Sequence, residues 1–257
     1  MIEPSALTAI RPDGSTRPAD RPFAPEIPVA LEYNGLSYAV MMASPSNLED
    51  FVTGFALTEG LAKSVSDVGD IDLAETDKGW IARATISSLA VEQLQERVRA
   101  RVAESSCGLC GIDNLEVIAK PLPPVATHAP IAPAVIFKAL EALRDHQPGN
   151  RATGGMHAAA FVSADGEIVC VREDVGRHNA LDKLVGAMAR AGQPMAGGFI
   201  LSTARCSYEI VEKAVKAGAT TLVTISVPTS MAATRARTAG LSLFALARPD
   251  EILSVVP

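Results

Sequence analysis

The sequence predicts an α/β fold, α+β overall, with a smaller N-terminal α+β subdomain ahead of a C-terminal domain of alternating strands and helices. Three observations carry this. Two apolar runs flank Asn34-Gly35; five prolines (Pro121, Pro123, Pro124, Pro130 and Pro133) interrupt the middle of the chain; and from Gly155 onward short apolar runs alternate with helical patterns closing near Gly192, Gly218 and Gly240. The expected organisation is a mobile tail over 1–25, an α+β subdomain over 26–119, a proline-rich connector over 120–133 and a ligand-binding domain over 134–257.

Each element has a local cause. Residues 1–25 hold Pro4, Pro12, Pro18, Pro22 and Pro25 among Arg, Asp, Ser and Ala, a mixture ill suited to a ladder or a core. Residues 27–33 and 36–42 flank Asn34-Gly35, whose tolerance of positive φ suits a two-residue hairpin turn. Ser46 stands three residues before Glu49, the spacing of a capping box, and Leu48, Phe51, Val52 and Phe55 then recur at helical intervals until Gly60. Residues 80–87 read as a strand, and Val91, Leu94 and Val98 form a helical stripe leading toward Cys107 and Cys110.

In the second half, a helix over 134–146 is expected to stop before Pro148-Gly149, and strands 156–163 and 168–171 flank Asp165-Gly166. A helix over 179–190 follows. Strands 198–203, 220–227 and 241–247 are separated by helices 207–217 and 229–239. Such alternation implies helices on both faces of a sheet, with ligands near the loops beyond the carboxyl ends of the strands.

Bulk properties narrow the function. At 257 residues, 48% hydrophobic, with a mean hydropathy of +0.20, the chain can bury a substantial core. A net charge of -6 argues against general affinity for nucleic acid, which needs clustered Lys and Arg. Neither a signal peptide nor an apolar run near the ~18 residues of a membrane span is visible, so the expected location is cytoplasmic. Cys107, Cys110, Cys170 and Cys206 are too few for a disulfide scaffold and are expected to be reduced.

Two thiols at the spacing of Cys107-Gly108-Leu109-Cys110 can share a proton, and backbone N–H groups of a glycine-rich loop can stabilise a thiolate, the nucleophilic form that sulfur transfer needs. Half a zinc site and a redox pair are the competing readings. Zinc needs two further ligands, yet Cys170 and Cys206 are isolated and His157 and His178 lie far apart in the chain, so no structural metal is expected. A redox pair usually opens a helix, whereas Cys110 leads into Gly111-Ile112-Asp113-Asn114 and then the prolines.

The polar stretch from Arg172 to Lys183 offers Arg177 and Lys183 to a phosphate at a helix start, or else is a solvated loop with Asp174 or Asn179 as a cap. His157 follows a diglycine at a strand start. Ser202-Thr203-Ala204-Arg205-Cys206-Ser207 and Ser226-Val227-Pro228-Thr229-Ser230 each join a strand to a helix, where hydroxyls and N–H groups could meet an anion or serve only as caps.

Read in order, PVALEYNGLSYAVMMASPSNLEDFVTGFALTEG, SSCGLCG, TGGMHAAA, REDVGRHNALDKLVG, STARCSYEIVEKAVKAGA, ISVPTS and AGLSLFALAR, spanning 28–248, resemble the formate dehydrogenase accessory sulfurtransferase family, the FdhD type. The resemblance implies a sulfurtransferase: Cys107 accepts a persulfide sulfur from a cysteine desulfurase, with Cys110 assisting. The sulfur passes to a bound bis(molybdopterin guanine dinucleotide) molybdenum cofactor that formate dehydrogenase requires. It further implies a cytidine-deaminase-like three-layer αβα C-terminal domain, a homodimer, and GDP or GMP as mimics of the cofactor's nucleotide end. The implied cofactor-binding residues are His157, Arg177, His178, Lys183, Ser202, Arg205, Ser207, Thr229 and Ser230, with Phe244, Ala245, Leu246, Ala247, Arg248 and Pro249 of the last strand.

Two departures stand out: Thr203-Ala204-Arg205 where relatives tend to read Ser-Gly-Arg, and Ala245-Leu246 in place of Gly-Phe. A cofactor-binding chaperone without sulfur transfer is the alternative reading. A deaminase-like hydrolase is disfavoured, because zinc deaminases read H-x-E before P-C-x-x-C, whereas here the CxxC comes first and His157 is followed by Ala158-Ala159.

Overall fold

The computed structural model describes residues 7–101 and 120–256. An N-terminal hairpin, β1 (Leu7–Ile10) and β2 (Thr16–Ala19), occupies part of the expected tail. This corrects the reading of 1–25 as wholly irregular: Pro18 is tolerated because the hairpin is an isolated two-stranded ladder with open edges.

The N-terminal unit is a four-stranded sheet in the order β4-β3-β6-β5, built from β3 (Ile27–Tyr33), β4 (Leu36–Ala43), β5 (Val68–Thr76) and β6 (Gly79–Ile86). Two helices, α1 (Leu48–Thr58) and α2 (Val91–Arg101), accompany it. Leu31, Tyr33, Phe51, Phe55 and Leu94 form its core. The Asn34-Gly35 turn forms as the sequence predicts, with Asn34 at φ 50° and Gly35 at φ 77°. Asn34 is also tied down by side-chain bonds to Ile86 and Leu89 carbonyls (3.1 Å each) and from the Ile86 N–H (2.6 Å). The strand β5, which the sequence patterning does not single out, alternates exposed Asp70 and Asp72 with Ile71 and Leu73 packed on the core, an edge strand with acidic residues on its open face.

The capping box of α1 does not form. Asn47 is the N-cap, in a left-handed conformation and without a side-chain bond, and the Glu49 carboxylate turns instead to Arg190 of a distant helix.

The C-terminal unit holds a six-stranded mixed sheet in the order β12-β11-β10-β9-β7-β8. Its strands are β7 (His157–Ser163), β8 (Ile168–Asp174), β9 (Gly198–Ser202), β10 (Thr221–Thr224), β11 (Ser242–Ala245) and β12 (Leu253–Val256). Strands β9, β10 and β11 are parallel, and the remaining pairings are antiparallel. On one face lie α5 (Arg177–Arg190), α6 (Tyr208–Lys216) and α7 (Ser230–Ala239), whose apolar residues pack on Ala159, Phe161, Ile200, Leu222 and Leu243. On the other, α3 (Pro133–Leu143) places Ile136, Ala139 and Leu143 against Ala160, Val162, Phe199, Leu201 and Val223. Alternate residues of each strand thus serve opposite layers, as a sheet covered on both faces requires.

The helical segment begun by α3 ends before Pro148 as the sequence predicts, and a further short helix, α4 (Pro148–Thr153), begins at that proline. Proline is well suited to the first helical position, and the free N–H groups of Gly149 and Asn150 are met by the Glu173 carboxylate at 2.8 and 2.7 Å.

The two units are joined through α1 and α5, which cross at Gly54 and Gly186. A Cβ on Gly54 would come within 1.7 Å of the Asp182 carbonyl oxygen, and one on Gly186 within 1.9 Å of that of Asp50. Around this crossing Asp50 pairs with Arg172 (2.8 Å) and Arg190 (2.6 Å). Lys213 holds Asp182 at 2.9 Å and Glu59 at 3.1 Å; burial works against the Lys213 charge, but the two carboxylates outweigh it and raise its pKa.

Candidate functional site

Because β9, β10 and β11 run parallel, their carboxyl ends share one edge of the sheet. Antiparallel β7 brings its first residue, His157, to the same edge, opposite Asp174 at the end of β8. The loops carrying Arg177, Ser202 to Ser207, Ser226 to Ser230 and Leu246 to Pro249 therefore converge, as expected for an α/β sheet.

His157 Nδ1 lies 3.4 Å from Thr203 Oγ1, which accepts the Ala158 N–H at 2.9 Å. Burial, followed by the charge of Arg177 and more weakly that of Arg205, pushes the His157 pKa below its ordinary value, so the imidazole is neutral at pH 7. Arg177 Nε and Ser207 Oγ are both buried with no partner among the described residues. Ser207 is the N-cap of α6, yet its hydroxyl makes no capping bond. His178 Nε2 lies 3.1 Å from a Glu209 carboxylate oxygen, but the geometry is not that of a hydrogen bond, and this buried atom too has no hydrogen-bond partner among the described residues. The edge thus gathers the unpartnered Arg177 Nε and Ser207 hydroxyl beside a neutral imidazole and the exposed Arg205, donors of the kind that suit an oxyanion.

Other expected site residues have local duties. Ser202 Oγ accepts the Ala204 N–H at 3.1 Å, and Thr229 Oγ1 caps α7 by accepting the Ala232 N–H at 3.2 Å. Ser230 is exposed. Lys183 is not brought to the edge. It is fully buried in the seam between units, 2.6 Å from Asp174 Oδ2 and 2.9 Å from the Ser44 carbonyl oxygen, so its charge already has a partner; burial, opposed by Asp174, draws its pKa down.

Phe244 and Ala245 belong to β11, where Ala245 is buried and Phe244 packs on the α3 side. Leu246 then adopts φ 47°, a conformation that is strained by about 1–2 kcal/mol in a residue bearing a Cβ. The turn is held by bonds from Leu246 N–H to the Ser226 carbonyl (3.3 Å) and from Ala247 N–H to that of Thr224 (3.1 Å). It presents Ala247, Arg248 and Pro249 to a cleft of about 530 Å³.

Leu140, Leu143 and Ile225 give this cleft apolar walls, and Arg21, Arg144, Gln147 and Arg151 its polar ones. None of these seven was singled out from the sequence. Arg21 comes from the segment expected to be a tail, while Arg144, Gln147 and Arg151 fall on either side of the helix break before Pro148 that the sequence predicts, so no single helical face links them.

Cys107 and Cys110 lie outside the described residues. Burial pushes the Cys206 thiol up to about 11 and also raises that of half-buried Cys170, so neither is a thiolate at neutral pH. Among the described residues no group of three or more His, Cys, Asp or Glu is placed to hold a metal ion, and no helix is long and apolar enough to cross a membrane.

The sequence model of the FdhD/NarQ family matches residues 24–255. The chain is 44% identical over 225 residues to the sulfur carrier protein FdhD of Cupriavidus necator, covering 88% of this chain and 78% of that one. It is 41% identical over 235 residues to the protein of the same name from Bordetella petrii, covering 91% and 84%, and 41% identical over 259 residues to that of Burkholderia mallei, covering 96% and 94%. The crystal structure of a protein from Desulfotalea psychrophila, described as a formate dehydrogenase accessory protein, superposes with a TM-score of 0.74 at 22% identity, covering 98% and 95% of the two chains, and shares the fold. With a family match that runs through both structural units and the CxxC between them, the chain belongs to the FdhD/NarQ family.

Proposed function

We propose that this protein is a sulfur carrier for formate dehydrogenase: Cys107 receives a persulfide sulfur from a cysteine desulfurase and delivers it to a bis(molybdopterin guanine dinucleotide) cofactor bound as substrate at the carboxyl edge of the sheet. The observation that carries this reading is the family match over 24–255, which includes Cys107 and Cys110, and the relatives' common description as sulfur carriers supports it. The protein works as a cytoplasmic homodimer, and its two-faced C-terminal sheet is read as the cytidine-deaminase-like αβα arrangement.

The chemistry balances with the residues present. The Cys107 thiolate attacks the outer sulfur of the donor persulfide; that S–S bond breaks, the desulfurase thiolate leaves, and a new persulfide forms on Cys107. To release the outer sulfur as hydrosulfide, the Cys110 thiolate attacks Cys107 Sγ, forming a Cys107–Cys110 disulfide that a dithiol reductant reopens. Cys170 and Cys206, protonated at neutral pH, take no part.

At the edge, Arg177 and Arg205 bind phosphate oxygens, Ser207 donates its hydroxyl, and His157, uncharged between two arginines, accepts or donates a single hydrogen bond without adding charge. Lys183 is assigned to the seam instead.

The test uses formate dehydrogenase matured with Cys107→Ala. The enzyme is expected to contain molybdenum cofactor and lack activity, while the variant keeps its unfolding midpoint. Full activity would refute sulfur transfer and leave a cofactor chaperone.

A further inference from the structure

We infer that Ser44, in the loop joining β4 to α1, is a positioning residue for the C-terminal edge: its hydroxyl, together with the Asp174 carboxylate, fixes the turn Val175-Gly176 from which Arg177 meets an oxyanion. This rests on the proposed role of Arg177 as an oxyanion donor, and adds that the N-terminal unit sets how well that donor is aimed.

Both amides of the turn are held. Ser44 Oγ accepts the Val175 N–H at 3.1 Å, across 131 residues of sequence, and Asp174 Oδ1 accepts the Gly176 N–H at 2.7 Å. The second carboxylate oxygen, Asp174 Oδ2, accepts the Ser44 N–H at 3.0 Å and lies 2.6 Å from Lys183 Nζ. Asn179 Nδ2 donates to Asp174 Oδ1 at 3.0 Å and to the Met42 carbonyl at 2.8 Å. Ser44, Asp174, Asn179 and Lys183 are all buried. The turn is packed so closely that a Cβ on Gly176 would stand 2.5 Å from Asn179 Nδ2 and 3.2 Å from Asp174 Oδ1.

Arg177 opens α5 directly after this turn. Its Nε is buried with no partner among the described residues, so the aim of that donor depends on the backbone that carries it. Holding the backbone beforehand reduces the ordering that a ligand must otherwise impose, and so strengthens binding. Ser44 can be probed without opening the seam. Its contacts with Asp174 and Lys183 are made by its own N–H and carbonyl groups, which any side chain leaves in place, and only the bond to Val175 belongs to the hydroxyl.

Calorimetry on the full chain with inorganic pyrophosphate, well below the melting temperature of each variant, tests this. Ser44→Ala should weaken binding about fivefold, the effect of one lost hydrogen bond, and Ser44→Thr, which keeps the hydroxyl, should restore it to within about twofold. In protein already carrying Arg177→Ala, Ser44→Ala should weaken binding no further, because it acts through that side chain. Binding by Ser44→Ala as tight as by the unaltered protein, or a full further loss on top of Arg177→Ala, would overturn the positioning role while the sulfur-carrier reading stands. Equal binding by the unaltered protein and Arg177→Ala, with persulfide sulfur still accepted at Cys107, would remove Arg177 as an oxyanion donor and the role of Ser44 with it.

Discussion

The seam between the two units and the carboxyl edge of the C-terminal sheet are both dense in buried polar groups, and they differ in one respect. At the seam the groups satisfy one another: Lys183 has Asp174 and Ser44, Lys213 has Asp182, Glu59 and Thr58, and Asp50 has two arginines. At the edge and its cleft, Arg177 Nε, His178 Nε2, Ser207 Oγ and Gln147 Nε2 have no hydrogen-bond partner among the described residues. Closed polar networks hold a fold together, whereas open ones destabilise the empty protein and are tolerated where a ligand completes them. The comparison separates Lys183 from Arg177, which lie six residues apart in one motif and look equally suited to a phosphate by sequence.

Substitutions should therefore divide by region. The largest effect is expected for Asp174→Ala, which leaves the fully buried Lys183 ammonium without a carboxylate and should cost about 3–5 kcal/mol in urea unfolding. A cost under about 1 kcal/mol would show the seam to be less closed than its geometry. Gly186→Ala comes next: its Cβ would sit 1.9 Å from the Asp50 carbonyl oxygen, and forcing the helices apart should cost about 1–3 kcal/mol.

Edge substitutions should reverse the pattern. Arg177→Ala is expected to change stability by no more than about 0.5 kcal/mol, to weaken guanine-nucleotide binding, and to raise the His157 pKa, read by NMR titration, because a positive neighbour is removed. The sign for pH follows. A folded His157 pKa below the unfolded value means the unfolded chain binds more protons, so stability conferred by neutral His157 is complete above about pH 6.5 and declines as pH falls toward the folded pKa. Arg177→Ala should narrow that window. The smallest effect, under about 0.5 kcal/mol, is expected for Glu49→Ala, since this half-exposed pair is screened by water and Arg190 keeps Asp50 at 2.6 Å.

Much of the fold is legible in local pattern, because glycines at Gly35, Gly60, Gly192, Gly218 and Gly240 adopt the positive φ that ends an element. What was hidden depends on distant partners. Helix α4 is capped by Glu173, and α1 lacks its expected capping box because Glu49 pairs with Arg190. The site was legible as a set of strand ends, which fixed His157, Arg177, Arg205 and Ser207 to one edge. The cleft was not, since Arg21 and Arg144 are far apart in sequence and carry no motif.

Sulfur transfer itself is most directly tested by incubating the protein with a cysteine desulfurase and cysteine, then measuring the mass of the peptide containing Cys107 and Cys110. One additional sulfur, removed by a thiol reductant and absent from Cys107→Ala, is the expected result. A peptide that gains no sulfur while the desulfurase is turning over would contradict the assignment of this chain as a carrier.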